Sequence, residues 1–392
     1  LLTLALAWKY LPAEARSRFD LVSWDPRGIG ASEGLVDCSI ATMAPLPVVG
    51  PVNWVSIQNR SRAGARAANS ACVAANPRMA PYMSTNAAVQ DLDAMRDAVG
   101  DRKLTYWGWS YGTRIGYVYA LRFPDRMRAL VLDGSVSPNG TTLGFAQAYG
   151  TAADDALGLL FQRYPAAAAD YRTARGTLEK APLQLTPSRT YTRWDLDRYL
   201  EEFAQWEPYY DLVVTYLHDV VNALTASGDT QRAGAEAVNA VPVLPLETFG
   251  GASAVVECLD YPQRPTAQRE LAAATTARLA APITGWYRGI STSMACEGVD
   301  VVPDPVPVFP GANWSAPMLL LGATLDAQTA YSWTVDMGRA FRGSRTVTYV
   351  GAKHVTFGAA GSSCVDEYAL DYLIRLRLPA VNVSCPNVDP AR

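Results

Sequence analysis

Strand-like and helix-like segments alternate over residues 85–133, stop, and resume at 317. Residues 85–99 carry Val89, Leu92, Met95, Ala98 and Val99 at spacings of three and four, the period of a helix with one buried face. Residues 104–107 are a short apolar run, 111–123 a helix stopped by Pro124, and 127–132 a buried strand ending in Asp133-Gly134. After the interruption, 317–321 reads as a strand, 331–341 as a helix, 346–350 as a strand and 364–376 as a last helix. Residues 19–24, closed by Pro26 and Gly28, read as one more buried strand. Apolar strands separated by helices require a mostly parallel sheet covered on both faces.

The interruption, from 138 to about 310, is mostly helical and rich in Ala, Tyr and Trp, with proline-containing breaks. It reads as an inserted helical domain and divides the chain into a first core part (1–137), a helical cap (138–309) and a C-terminal core part (310–392). Residues 38–85 lack a clear period and are an excursion pinned by Cys38 and Cys72. The first eight residues are apolar but have neither the basic start nor the cleavage site of a signal peptide, so they are expected to be an amphipathic helix of the fold. The chain starts without Met and is expected to be processed or truncated.

With 392 residues, 49% of them hydrophobic and 18% charged, the chain can bury a large core. A net charge of −3 without any basic stripe excludes nucleic acid as the expected partner. No apolar run reaches the roughly 18 residues that span a membrane. Six scattered cysteines without a C-x-x-C pair, and only two histidines, exclude a zinc site and leave no residues set aside for a metal or cofactor. An even number of dispersed cysteines suggests up to three disulfides and an oxidising, extracellular compartment; six buried thiols are the alternative, and the residues alone leave the pairing open.

Parallel α/β sheets place their ligands beyond the carboxyl ends of the strands. Three residues stand there: Ser110 after 104–107, Asp326 after 317–321 and His354 after 346–350. Their chain order is Ser, Asp, His, that of an α/β-hydrolase triad. Ser110 lies in Gly108-Trp109-Ser110-Tyr111-Gly112. A serine on a sharp strand-to-helix turn needs neighbours without bulk, which the two glycines supply, and the following helix aims its N-terminal N–H groups at charge developing near the hydroxyl. The serine needs a base near neutrality. His218 lies inside the helical insertion and reads as a packing or surface residue, whereas His354 lies on a loop that can reach Ser110. Asp133 competes with Asp326 for the acid's role, since it ends the strand after the nucleophile helix. Asp326 is favoured, with Asp133 expected to hold the loop that leads into the insertion.

Other features read as structural. Asp25-Pro26-Arg27-Gly28 is a tight turn with Asp25 and Arg27 in local ion pairs. Trp107, Trp109 and Tyr111 flank Ser110; Trp109 is a candidate for lining a substrate pocket. Asn59, Asn139, Asn313 and Asn382 begin N-x-Ser/Thr matches at a frequency expected by chance.

Gly108-Trp-Ser-Tyr-Gly-Thr, with Phe123-Pro-Asp-Arg, Val131-Leu-Asp-Gly, Asp91-Leu-Asp-Ala-Met-Arg and the run from Phe19 through Trp24-Asp-Pro-Arg-Gly-Ile-Gly-Ala-Ser, resembles the secreted bacterial tripeptidyl aminopeptidases and their carboxylesterase-like relatives, in the prolyl-aminopeptidase branch of the α/β-hydrolases. The C-terminal stretch from Cys364 to Cys385 is similar too, and the likeness is weakest in the insertion. The resemblance implies an α/β-hydrolase fold with a helical cap, and hydrolysis through Ser110, Asp326 and His354 that releases tripeptides from free N-termini. It implies the Tyr111 N–H as one oxyanion donor. It also implies disulfides Cys258 with Cys296 and Cys364 with Cys385, which leaves Cys38 with Cys72.

The sequence departs from the family's pattern in two places. The family carries a glycine-rich loop, which gives the second oxyanion donor, and strands before it; these would precede Leu1, so more sequence is expected upstream in the natural protein. Lys353 stands where relatives have glycine beside the histidine, and is placed to crowd or recharge the pocket mouth. An exopeptidase also needs a carboxylate for the substrate ammonium. Glu257, Asp260 and Glu297 are the candidates, with surface acids of the cap as the alternative. Three functions therefore remain open: a peptidase on free N-termini, a carboxylesterase on small esters using the same triad, and a catalytically impaired fragment or binding module.

Overall fold

A computed structural model describes residues 7–32, 38–204, 206–307 and 317–388. Its centre is a five-stranded, wholly parallel sheet in the order β1-β2-β5-β6-β7. The strands are β1 (Leu104–Trp109), β2 (Met127–Asp133), β5 (Leu319–Ala323), β6 (Arg345–Tyr349) and β7 (Val383–Cys385). A small antiparallel pair, β3 (Leu183–Thr186) and β4 (Arg189–Tyr191), stands apart within the insertion.

The core strands are apolar at successive positions because both faces are covered. Leu130, Leu132, Met318 and Leu320 pack into one layer, while Ala129, Val131, Leu319 and Leu321 pack into the other. The first layer contains side chains of α2 (Thr85–Ala98), α3 (Tyr111–Arg122) and α12 (Tyr331–Ala340); the second is covered by α13 (Ser363–Arg375) and a single turn at Ala13–Arg16.

Among the described residues, the α-helices between β2 and β5 are α4 (Thr142–Arg163), α5 (Pro165–Leu178), α6 (Arg193–Phe203), α7 (Tyr210–Thr225), α8 (Gly228–Ala240), α9 (Gly251–Asp260), α10 (Ala267–Ala280) and α11 (Gly285–Ser293). Parts of α4 to α8 build their own core around Leu160, Tyr171, Leu200, Tyr210 and Leu217. The cysteines pair as Cys38–Cys72, Cys258–Cys296 and Cys364–Cys385.

Two expectations fail. Residues 19–24 form no strand. Phe19 and Leu21 pack on one helix layer and Trp24 on the other, each partly buried, while Val22 is exposed, so the run is held by side-chain packing without ladder hydrogen bonds. The excursion at 38–85 contains a 22-residue helix, α1 (Trp54–Ala75), N-capped by Asn53. Its buried face runs Ile57, Gln58, Ser61, Ala65, Asn69, Cys72: the helical period is intact, but polar residues hold three of the positions. The start of the N-terminal segment, Asn313 and the boundary near 310 lie outside the described residues.

Candidate active site

Ser110 sits between β1 and α3 with φ 51° and ψ −126°, one of three non-glycine residues with positive φ among the described residues. Such a conformation is strained and persists only where its surroundings enforce it. The Ser110 N–H donates to the carbonyl of Asp133 at 3.0 Å, and its own carbonyl accepts from the N–H and hydroxyl of Thr113 at 2.9 and 2.6 Å. A Cβ on Gly108 would lie 2.4 Å from the Tyr106 ring and 2.6 Å from the carbonyl oxygen of Gly112. The turn closes this tightly only because that atom is missing.

Asp326 is buried on the turn after β5. Its carboxylate accepts from the N–H groups of Gln328 and Thr329 and from the Thr329 hydroxyl, each at 2.8 Å. It faces His354 Nδ1 at 3.0 Å. Burial works against the imidazolium, but the charge and hydrogen bond of Asp326, helped by Asp133, raise His354 above its ordinary 6.5. Gly134 (φ +65°) lies at the junction: a Cβ there would come within 3.3 Å of His354 Cε1 and 3.2 Å of Asp326 Oδ2. Ser110 is tied to the Asp133 carbonyl, and the next residue, Gly134, lies against His354. Among the described residues no hydrogen bond joins Ser110 to His354. A nucleophile and base are often this loose before substrate tightens them.

Asp133 holds a different loop from the one expected. It accepts from the Thr356 N–H at 2.8 and 2.9 Å, the Thr356 hydroxyl at 3.0 Å and the Phe357 N–H at 2.8 Å. It therefore braces the segment just after His354, not the entry to the insertion. Burial pushes its carboxyl up to about 6 despite these bonds. Arg27 likewise pairs with Asp91 of α2 at 2.7 Å, while Asp25 accepts from the Ala31 N–H, so the ion pair of this turn reaches across the fold.

The three acids proposed for a substrate amine are all engaged. Arg114, one turn along α3 from Ser110, bonds Glu257 Oε2 at 2.7 Å and Asp260 Oδ2 at 3.1 Å, under the Tyr261 ring. Asp260 also accepts from the Thr85 N–H and hydroxyl; burial raises its carboxyl to about 6, against the pull of Arg114. Tyr111 extends its phenol to Thr85 at 2.9 Å, and its backbone opens α3 beside Ser110. Glu297 belongs to a separate cluster with Arg62 and Arg66 of α1. Trp109 packs edge-on against Trp107. His218 is exposed, 3.5 Å from Asp170.

Sequence reasoning missed Trp206, whose ring meets that of His354 edge-on at 6.3 Å, and Glu207 beside it. No spacing signals either residue. Thr329, three residues after Asp326, was legible as turn chemistry.

The alpha/beta hydrolase fold family matches residues 3–209 and a TAP-like protein family matches residues 281–385. Serine protease Hip1 of Mycobacterium tuberculosis is 29% identical over 96% of this chain and 76% of its own length. The tripeptidyl aminopeptidase of Streptomyces lividans is 27% identical over 96% of this chain and 72% of its own. Among solved structures, an alpha/beta hydrolase fold protein from Nakamurella multipartita overlaps with a TM-score of 0.30 and 16% identity, over 74% of this chain and 76% of that one. With that first match covering 3–209 of 392 residues, the chain belongs to the α/β-hydrolase family.

Proposed function

We propose that this protein is a serine hydrolase that removes short peptides, tripeptides among them, from free N-termini. The observation that carries the reading is the His354–Asp326 pair at 3.0 Å, packed against Gly134, together with a serine held at positive φ and bonded to the residue before that glycine. In the mechanism this supports, His354 takes the Ser110 proton as the hydroxyl attacks the scissile carbonyl, and Asp326 fixes the ring by its Nδ1–H and stabilises the imidazolium. The Tyr111 N–H, at the start of α3, donates to the oxyanion, aided by the helix N-terminus. The imidazolium then protonates the leaving amine, and water, activated by the same histidine, hydrolyses the acyl-enzyme.

The relatives named as a serine protease and a tripeptidyl aminopeptidase favour peptide over ester substrates. Glu257 and Asp260 favour a free amine, because two carboxylates share the single positive charge of Arg114. Burial raises the Tyr149 phenol to about 12; the charges of Glu257 and Asp326 add to the shift, and those of Arg288 and Arg114 oppose it. Residues 138–309 serve as the cap, and residues 1–137 and 310–392 as the core. Three disulfides favour an extracellular location, and among the described residues no helix is long and apolar enough to cross a membrane.

A fluorophosphonate probe is expected to label Ser110, located by peptide mass spectrometry, and Ser110→Ala is expected to abolish the label without lowering the melting temperature. Peptides with free N-termini are expected to turn over faster than blocked peptides or small esters. Folded protein that takes no label would overturn the triad, and a preference for esters would overturn the peptidase.

A further inference from the structure

We propose that Glu207, which lies in the helical insertion, is a positioning residue for His354. The inference rests on the reading of His354 as the base, and adds a residue that acts on it through the backbone. His354 lies on a segment that leaves β6 at Tyr349 and bends sharply. Val355, next to the histidine, has φ +67°, a region β-branched residues almost never enter. A bend of that kind must be imposed from outside.

Two carboxylates impose it, each acting two residues from His354. Downstream, Asp133 of the core takes the Thr356 N–H. Upstream, Glu207 Oε1 takes the Ala352 N–H at 3.0 Å and the side-chain amide of Asn387 at 3.2 Å. The Glu207 side chain is fully buried, and its other oxygen lies 3.8 Å from the Arg163 guanidinium of α4.

The fit around Glu207 is close. A Cβ on Gly351 would lie 3.1 Å from Glu207 Oε1 and 2.7 Å from the Tyr349 ring, so glycine at that position admits the carboxylate. The Gly351 carbonyl in turn accepts from the Leu325 N–H at 3.0 Å, immediately before Asp326. The clamp therefore fixes the histidine loop and the acid turn together. Trp206 adds the edge of its ring against the imidazole itself. Consecutive residues of the insertion thus hold the base by its ring and by its backbone, and a shift of the insertion would carry His354 with it.

Two conservative variants separate reach from charge. Glu207→Gln keeps an acceptor oxygen at the same reach and loses the charge; Glu207→Asp keeps the charge beside Arg163 and withdraws the oxygen from Ala352. Displacing a reacting group by about 1 Å can cost a hundredfold. The expected result is that Glu207→Asp lowers kcat and the rate of fluorophosphonate labelling roughly tenfold to a hundredfold with little change in KM, while Glu207→Gln stays near the parent. A second readout needs no turnover. The chain has two histidines, so its imidazole NMR spectrum holds two sets of signals, with exposed His218 as the internal control. The low-field Nδ1 proton of His354, bonded to Asp326, is expected to weaken or shift in Glu207→Asp and persist in Glu207→Gln.

The reverse order, or a folded Glu207→Asp with parental labelling and an unchanged His354 signal, would overturn the proposal. A parent protein that takes no label would instead remove the serine-hydrolase reading, and the His354 resonance would then decide the role of Glu207 alone.

Discussion

Asp133 ends β2 and Asp326 stands on the turn after the adjacent β5; both are buried, and they differ in what meets them. Asp326 receives an imidazole N–H besides two backbone N–H groups of its own turn, whereas Asp133 receives the backbone N–H groups and hydroxyl of residues 356–357. The first arrangement tunes a base and the second shapes a loop. His354 must be neutral to accept the serine proton, and its pKa is raised by Asp326. Activity should therefore climb as pH rises through a value above 6.5 and level off once the ring is neutral. In Asp326→Asn the charge that favours the imidazolium is gone, so the climb should move to lower pH. The plateau should fall by about 10⁴, the loss measured for the same change in another triad. The pH dependence of kcat/KM checks both; a limb that stays in place would detach Asp326 from His354. The sequence favoured Asp326 as the acid and gave Asp133 a loop to hold, but it pointed to the wrong loop, because the donors that reach Asp133 come from more than two hundred residues further along the chain.

At the scale of elements, the strand–turn–helix around Ser110 was the most legible part of the chain. Its requirements are local: two glycines, an apolar run before them and a helix after. The glycines are not equivalent. A Cβ on Gly108 meets backbone and ring at 2.6 Å or less, whereas on Gly112 the nearest atom is the Tyr106 hydroxyl at 3.3 Å. Gly108→Ala is expected to cost about 1–3 kcal/mol through overpacking and to slow probe labelling sharply. Gly112→Ala should lose much less of either. Thermal melts and labelling rates compare the two; equal losses would mean that the tightness of the turn is not what places Ser110. The core strands were equally legible, since burial on both faces writes itself as an apolar run. Residues 19–24 show the limit of that signal: an apolar run can lie half-buried, with Phe19 and Leu21 on one helix layer, Trp24 on the other, Val22 exposed and no partner strand. Helix α1 shows the opposite limit. Its buried Ser61 and Asn69 are satisfied by Ala44 and by the segment at 295–297, so its face is periodic in burial without being periodic in hydrophobicity.

For the whole molecule, the three disulfides divide their work between regions. Cys364–Cys385 ties α13 to β7 within the core. Cys258–Cys296 ties α9, the helix that brings Glu257 and Asp260 to Arg114, to the segment after α11, and packs in one cluster with Cys72 and Cys38, which tie α1 to the same region. Each bridge closes a short loop, 21 to 38 residues in sequence, and removal should cost about 2–5 kcal/mol. The functional costs should differ. Replacing Cys258 and Cys296 together by serine loosens α9 relative to α3, so the two acids lose their fixed place beside Arg114 while Ser110, His354 and Asp326 keep their own supports. The double variant, assayed well below its melting temperature, is expected to raise KM for peptides with a free N-terminus and to leave the rate of fluorophosphonate labelling near that of the parent. The Cys364–Cys385 counterpart should melt at lower temperature with KM unchanged. If both pairs lower stability and neither moves KM, the acids on α9 serve only to neutralise Arg114, and the recognition of a substrate amine has to be sought elsewhere around the pocket.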